Sequence, residues 1–171
     1  MISRAGRATI FDRKAFTEAF FDDDAMADGA LVVALVGGAS YLGALVWDGN
    51  LGRFDLIGLL QALLFFVVSW LILGFATWFA ASRLFGSTNR YQTLIAMHGL
   101  AVLPRFLEIF GRPLSWAGII WYLAILVLAT KEATDLDYRN SGVSVLIGFA
   151  VTLVMSLLLR APFGLLSGVF A

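Results

Sequence analysis

Long runs of apolar residues, separated by short polar links, dominate the chain from residue 29 onward. Five such runs occur, at residues 29–47, 56–82, 93–110, 114–130 and 142–159. A stretch of about 20 apolar residues crosses the hydrocarbon core as an α-helix. A helix also satisfies its own backbone hydrogen bonds in lipid, which a lone strand cannot do. The pattern therefore predicts an all-α membrane protein, a bundle of five transmembrane helices.

The third run differs from the others because polar residues and a proline interrupt it. It contains His98, Pro104, Arg105 and Glu108. Proline removes a backbone donor and breaks or kinks a helix. Two structures fit this segment, a kinked crossing and a re-entrant segment that turns back at Pro104, and we favour the kinked crossing.

The basic residues predict an orientation. Eight of them fall on the side of the predicted bundle that holds the N-terminus: Arg4, Arg7, Arg13, Lys14, Arg83, Arg90, Lys131 and Arg139. Only Arg53, Arg112 and Arg160 fall on the other side. Since basic residues concentrate in cytoplasmic loops, we expect the N-terminus in the cytoplasm and the C-terminus outside, with a bacterial inner membrane as the location.

The segment before the first run is expected to form a separate cytoplasmic part, residues 1–28, ahead of a membrane domain at 29–171. Residues 7–21 are compatible with one helix that carries Phe16 and Phe20 one turn apart. Arg13 and Lys14 intrude on the apolar arc, so the amphipathicity is loose, but their stems can extend to lipid headgroups. This pattern favours an interfacial helix on the cytoplasmic leaflet; the alternative is a short helix docked on the bundle.

Composition narrows the function. Hydrophobic residues make up 60% of the 171 residues, and the formal net charge is zero, so no field attracts nucleic acid. The chain has no Cys and a single His, which leaves no thiolate site and no second imidazole for a metal. Ser40 lacks the following Gly of a nucleophile elbow. We therefore predict no catalytic, cofactor-binding or metal-binding residues and a protein that is not an enzyme.

Polar groups on the third run are the candidate site. On an α-helix, Arg105 lies about 20° from His98, with Glu108 about 60° further round. One hypothesis is a polar stripe or proton path that faces the bundle interior, with partners among Gln61, Ser69 and Thr77 of the second run. The alternative, which we favour, is an Arg105–Glu108 ion pair that satisfies itself and a His98 that bonds a neighbouring helix.

Small residues recur at helical spacing on two runs. On the fifth run they are Ser144, Gly148, Thr152 and Ser156, and on the first they include Ala34, Gly38 and Gly43. Such ladders let helix backbones approach closely. Packing within the chain is the favoured interpretation, with oligomerisation as the alternative.

The order of these features resembles the Yip1-domain family of small integral membrane proteins. The resemblance begins with FDRKAFTEAFFDDDA (11–25), leading into the first run. It is strongest from Ser69 to Pro104, where a Leu-Phe-Gly turn, a polar loop with Arg90 and Gln92, and a Gly99…Pro104 helix follow one another. The family resemblance implies five spans, a cytoplasmic N-terminus and an outward C-terminus. The acidic-Gly-Pro motif of the eukaryotic members is absent, so Rab-type GTPase binding is not carried over, and the short prokaryotic branch is the nearer likeness.

Together these features predict a scaffold or assembly subunit, with no cofactor, that packs laterally against other membrane proteins or itself within the bilayer. A small transporter or channel that uses the His98, Arg105 and Glu108 stripe is the alternative.

Overall fold

The computed structural model describes residues 2–47, 49 and 54–167, and the side chains of 3–47, 49, 54–111 and 114–158. All regular elements in this part of the chain are helices, and it has no strand. The α-helices are α1 (Ile2–Thr9), α2 (Arg13–Phe20), α3 (Ala25–Trp47), α4 (Leu56–Phe85), α5 (Tyr91–Ala101), α6 (Arg112–Thr134) and α7 (Tyr138–Ser167). A 3-10 helix, Leu103–Phe110, continues α5.

Five helical stretches in the described residues are long and apolar enough to cross a membrane, which confirms the expected fold class. They are Ala25–Trp47, Leu56–Phe85, Tyr91–Phe110, Leu114–Thr134 and Tyr138–Leu158. The second has the highest mean hydropathy, 2.5, and the third has the lowest, 1.4.

Local chemistry explains where several helices begin and end. The carboxylate of Asp55 accepts a hydrogen bond from the Gly58 amide at the start of α4. Gly86 ends α4 in the left-handed conformation, with φ of 73°, and donates its N–H to the Ala81 carbonyl. Asp135 ends α6 in the same region, with φ of 55°. Capping residues next to the apolar runs therefore determine where these helices begin or end.

The third span changes helix type at Pro104. The Arg105 amide donates to the Val102 carbonyl at 3.0 Å, an i to i−3 bond of the 3-10 kind. An α-helical part at about 1.5 Å per residue and a 3-10 part at about 2.0 Å per residue together reach roughly 33 Å. That length matches the hydrocarbon core of roughly 30 Å. It therefore favours the kinked crossing over the re-entrant segment.

Helix α5 lies at the centre of the bundle. Every residue from Leu94 to Val102 is buried, because α1, α2, α3, α4 and α6 all pack against it. Its closest approach is to α3, where a Cβ added to Gly99 would lie 2.5 Å from the Cα of Gly29. The least apolar span is thus the one that the rest of the chain shields from lipid.

The N-terminal segment corrects one expectation. Two short helices, α1 and α2, replace the single helix predicted at 7–21, because the chain turns at Phe11, which has φ of 61°. Phe16 is fully buried where α2 packs on α5 and α6, whereas Phe20 is 42% exposed. Phe16 is therefore a core residue and not an interfacial one.

The C-terminal helix also differs from the expected ending. Helix α7 continues to Ser167, beyond the predicted end of the fifth span at residue 159. Residues 168–171 lie outside the described residues.

Candidate functional site

The polar residues of the third span do not form one continuous stripe. A 3-10 helix turns about 120° per residue instead of about 100°, so residues three apart eclipse each other. Arg105 and Glu108 therefore stand directly in line, while Arg105 rotates to roughly 60° from His98. The change of helix type separates His98 from the other two residues.

His98 lies in the interior of the bundle. Its side chain is fully buried, and its Nε2 lies 2.9 Å from Oγ1 of Thr130 on α6. No group among the described residues bonds its Nδ1. The hydrogen bond to a neighbouring helix is the arrangement favoured from the sequence, and it ties α5 to α6.

Arg105 and Glu108 form a close ion pair. Arg105 Nε donates to Glu108 Oε1 at 2.7 Å, and Ser40 Oγ on α3 donates to Glu108 Oε2 at 2.6 Å. Both carboxylate oxygens are thus occupied. The Ser40 bond joins the first span to the third, and both bonds to Glu108 are charge-assisted.

Aromatic rings flank the guanidinium of Arg105. Its Cζ lies 4.6 Å from the centroid of the Phe66 ring and 5.9 Å from that of Tyr122. Rings at these distances attract a cation through their negative faces. Arg105 also lines a cavity of about 60 Å³ between the spans.

The three predicted partners on α4 have different surroundings. Ser69 lines the same cavity as Arg105. Thr77 is fully buried, and its hydroxyl has no hydrogen-bond partner among the described residues. Gln61 is exposed. The structure therefore brings Ser69 to Arg105 and leaves Gln61 and Thr77 apart from it.

Sequence reasoning missed Ser40, Phe66 and Tyr122 at this site. In the sequence, Ser40 stands out only as a potential nucleophile, and the two aromatic residues resemble many others on the spans. The α-helical projection of the third span could not reveal these neighbours, since the rotation depends on the 3-10 geometry after Pro104.

The predicted packing residues on α7 meet α4. A Cβ added to Gly148 would lie 3.0 Å from the Leu73 carbonyl oxygen and would also overlap the Thr77 hydroxyl. Ser144 is buried, and Thr152 and Ser156 are half-buried; their hydroxyls bond carbonyls of α7 itself.

The packing residues on α3 divide between two neighbours. A Cβ on Gly43 would lie 2.7 Å from Ile109 Cα, so α3 touches the 3-10 helix there. Gly38 faces Leu63 of α4 more loosely, at 3.7 Å, and Ala34 is half-buried. Gly43 and Gly148 are therefore both used within the chain.

The interfacial candidates Arg13 and Lys14 lie at the start of α2, and both are exposed. Arg13 Nη2 donates to the Tyr138 hydroxyl at 2.8 Å, and its Nε lies 3.7 Å from Glu132 Oε1. These contacts fasten α2 to the adjoining ends of α6 and α7.

Ion pairs join α1 to α2 and to the segment after it. The Arg7 guanidinium bonds the Glu18 carboxylate and lowers its pKa. Arg4 Nη1 donates to Asp22 Oδ2 at 2.6 Å, and this bond, with a second from the Asp24 amide, lowers the pKa of Asp22. The two helices form a hairpin closed by salt bridges.

A comparison with protein families identifies the family of this chain. The Yip1 domain model matches residues 8–160, nearly the whole chain. The chain belongs to the Yip1 family. Comparisons with curated proteins and with solved structures give no significant match. The matched region of this Yip1 domain includes α2, all five spans and the Arg105 cavity. The resemblance to the family, which is strongest from Ser69 to Pro104, is therefore confirmed.

Proposed function

We propose that this Yip1 protein is a non-enzymatic scaffold or assembly subunit that packs laterally against another integral membrane protein. The observation that supports this role is the low burial of α4 within the chain. In the most apolar 18-residue stretch of α4, only 11% is buried within the chain, and in that of α7 the share is 22%. The corresponding shares for the first, third and fourth spans are 39%, 56% and 39%.

The outer surfaces of α4 and α7 carry large apolar side chains. On α4, Leu60 and Leu64 are 55% and 58% exposed; on α7, Leu153 and Leu157 are 49% and 68% exposed. These two helices pack extensively on each other. Their contact leaves the outer surfaces free for the acyl chains of lipid or for the helix of a partner, because both fit an apolar surface in the bilayer.

The first span is the weaker candidate for such contacts. Gly43 already packs on the 3-10 helix, and Gly38 faces Leu63. We therefore assign the lateral contact to α4 and α7, with the close approach at Gly148 holding these two helices in one unit.

Cysteine cross-linking tests the role, because the chain has no Cys of its own. Leu64→Cys and Leu153→Cys place a thiol on the proposed surface, and Leu31→Cys places one on the outer surface of α3 with a similar exposure of 50%. In native membranes we expect discrete adducts from the first two variants and none from the third. Adducts at all three positions, or at none, would contradict the proposal.

The alternative function, a transporter or channel along the polar stripe, has less support. His98 points to Thr130, away from the Arg105–Glu108 pair, and both Glu108 oxygens are already bonded. A conducting path needs polar groups in sequence across the bilayer. Flux measurements in liposomes test it, and an Arg105→Ala variant that folds but loses a flux would favour the alternative.

We further propose that the N-terminus is cytoplasmic and the C-terminus lies outside, in a bacterial inner membrane. The excess of basic residues at the N-terminal side supports this orientation. A reporter inserted at Ser87 should read cytoplasmic, and one fused after Ala171 should read external. A cytoplasmic signal from the second fusion would contradict the orientation.

A further inference from the structure

All five spans meet at one cavity of about 60 Å³. Each span contributes at least one wall residue. These are Val33 from α3, Ser69 from α4, Arg105 from the third span, Tyr122 from α6 and Thr152 from α7. A cavity at the junction of every span is a place where a bound group would contact the whole bundle.

Arg105 lines this cavity, and its guanidinium keeps unused donors. Its Nε is bonded to Glu108, but no group among the described residues accepts a hydrogen bond from either Nη. The Phe66 and Tyr122 rings hold the guanidinium plane and cannot accept these bonds as an oxygen would. Two parallel donors on a fixed fork match the two oxygens of a carboxylate.

Two hydroxyl groups add to this donor set. Tyr122 is only 4% exposed, and its hydroxyl has no hydrogen bond within the part of the chain that the structure describes. Ser69 is half-buried and lines the same cavity, and its hydroxyl also has no hydrogen bond to a described residue. Each hydroxyl borders the cavity and can donate to an acceptor that fills it.

The remaining walls are apolar, and they limit the size of the occupant. Phe66, Trp70 and Phe149 are aromatic, and Val33, Leu73 and Val102 are aliphatic. A volume of about 60 Å³ holds roughly four water-sized groups. The cavity therefore suits a small molecule with one negative polar end and a short alkyl end.

We propose that this cavity binds a small monocarboxylate of the size of acetate or propionate. The carboxylate lies against the Arg105 fork and accepts hydrogen bonds from Tyr122 and Ser69, while the alkyl end packs among the aromatic rings. This binding is independent of the scaffold role, since it uses the interior of the bundle and not the outer surfaces of α4 and α7.

Titration of the protein in phosphatidylcholine nanodiscs tests the site. Sodium acetate and sodium propionate should raise the melting temperature in a saturable manner, and isothermal titration should give a single site. Sodium chloride at matched ionic strength should give neither effect. An equal response to chloride, or no saturable response to either carboxylate, would overturn the proposal.

Conservative substitutions distinguish the loss of one hydrogen-bond donor from a general effect on folding. Tyr122→Phe keeps the ring and removes the hydroxyl, and Arg105→Lys keeps the charge and removes the fork. We expect each to weaken acetate binding by about tenfold, the worth of one charge-assisted hydrogen bond. Arg83→Lys is the matched control, because Arg83 also stacks on an aromatic ring, that of Phe79 at 5.8 Å, but is exposed at the end of α4.

Glu108→Gln gives a result of the opposite sign. It removes the negative charge that competes for Arg105, so acetate should bind more tightly. Wild-type affinity in the Tyr122→Phe and Arg105→Lys variants, or weaker binding in Glu108→Gln with the fold intact, would each contradict the proposed geometry.

A carboxylate in this cavity could be a free ion or the end of a fatty acid. Competition with oleate in the same nanodiscs distinguishes these sources. Displacement of labelled acetate by oleate assigns the site to a fatty-acid end, and acetate binding that oleate does not affect assigns it to the free ion.

Discussion

Gly29 and Gly99 bring the backbones of α3 and α5 into direct contact. A Cβ on Gly99 would lie 2.5 Å from Gly29 Cα and 2.8 Å from its carbonyl carbon. Both neighbours are backbone atoms, so no side chain can rotate to make room. Two glycines that are 70 positions apart in the chain therefore set the distance between the first and third spans.

Gly99→Ala should therefore destabilise the bundle by about 1–3 kcal/mol, the usual cost of overpacking. Unfolding of the purified protein in detergent micelles measures this change. Gly142→Ala is the control, because a Cβ there meets nothing within 4 Å. It should leave stability unchanged or raise it by up to about 1 kcal/mol, since Ala is the better helix former. A similar loss in both variants would mean that the close contact is not the cause.

Gly148→Leu should separate α7 from α4, because the new side chain meets the Leu73 carbonyl and the Thr77 side chain. We expect a loss of about 3 kcal/mol or a failure to fold, judged by thermal unfolding and gel filtration in detergent. Gly142→Leu, six residues earlier on the same helix, should have a much smaller effect, because a Cβ there meets nothing within 4 Å. Unchanged melting temperature and oligomer size for Gly148→Leu would exclude this packing contact.

Trp121→Phe should loosen the N-terminal hairpin. The indole Nε1 of Trp121 donates to the Thr9 carbonyl at 2.9 Å, and phenylalanine has no such donor. The lost bond corresponds to about 1 kcal/mol, and hydrogen exchange of the Ile10 and Phe11 amides should become faster. Trp116→Phe is the matched control, because Trp116 is 68% exposed on the same helix. The idea fails if exchange at the turn is the same in all three proteins.

Acid should open the hairpin. The pKa values of Glu18 and Asp22 lie below their ordinary values of 4.5 and 3.8, because Arg7 and Arg4 bond their carboxylates. A lowered pKa means that these pairs stabilise the fold fully above the ordinary values, and that this stability is lost as pH falls through the lowered ones. Spin labels at the exposed Ser3 and Phe21 should keep one separation from about pH 8 to pH 5 and move apart below about pH 4.

Glu18→Gln provides the control for that experiment. It removes one ion pair at every pH, so its spin-label separation at neutral pH should already be broader than that of the wild type. Its remaining acid response should come from Asp22 alone. An identical pH profile in both proteins would show that the Arg7–Glu18 pair does not hold the hairpin.

Much of the secondary structure of the third span could be predicted from the sequence, but the arrangement of its site could not. Pro104 correctly marked the break in the third helix. The predicted face, however, assumed about 100° per residue throughout. After Pro104 the chain follows 3-10 geometry, which aligns Arg105 with Glu108 and turns both away from His98. The Arg105–Glu108 ion pair favoured from the sequence is present. Its neighbours Ser40, Phe66 and Tyr122 could not be predicted.

The sequence alone determined that five apolar helices follow one another, because a backbone in lipid must form hydrogen bonds within each span. It also determined several helix ends, through Asp55 and Gly86, because capping depends on residues next to each other in the chain. Only the tertiary structure decided that Phe16 is buried, that Gly148 meets α4 and that all five spans meet at Arg105. These facts depend on contacts between residues far apart in the chain, and helical periodicity indicates which face is apolar without naming the helix that covers it.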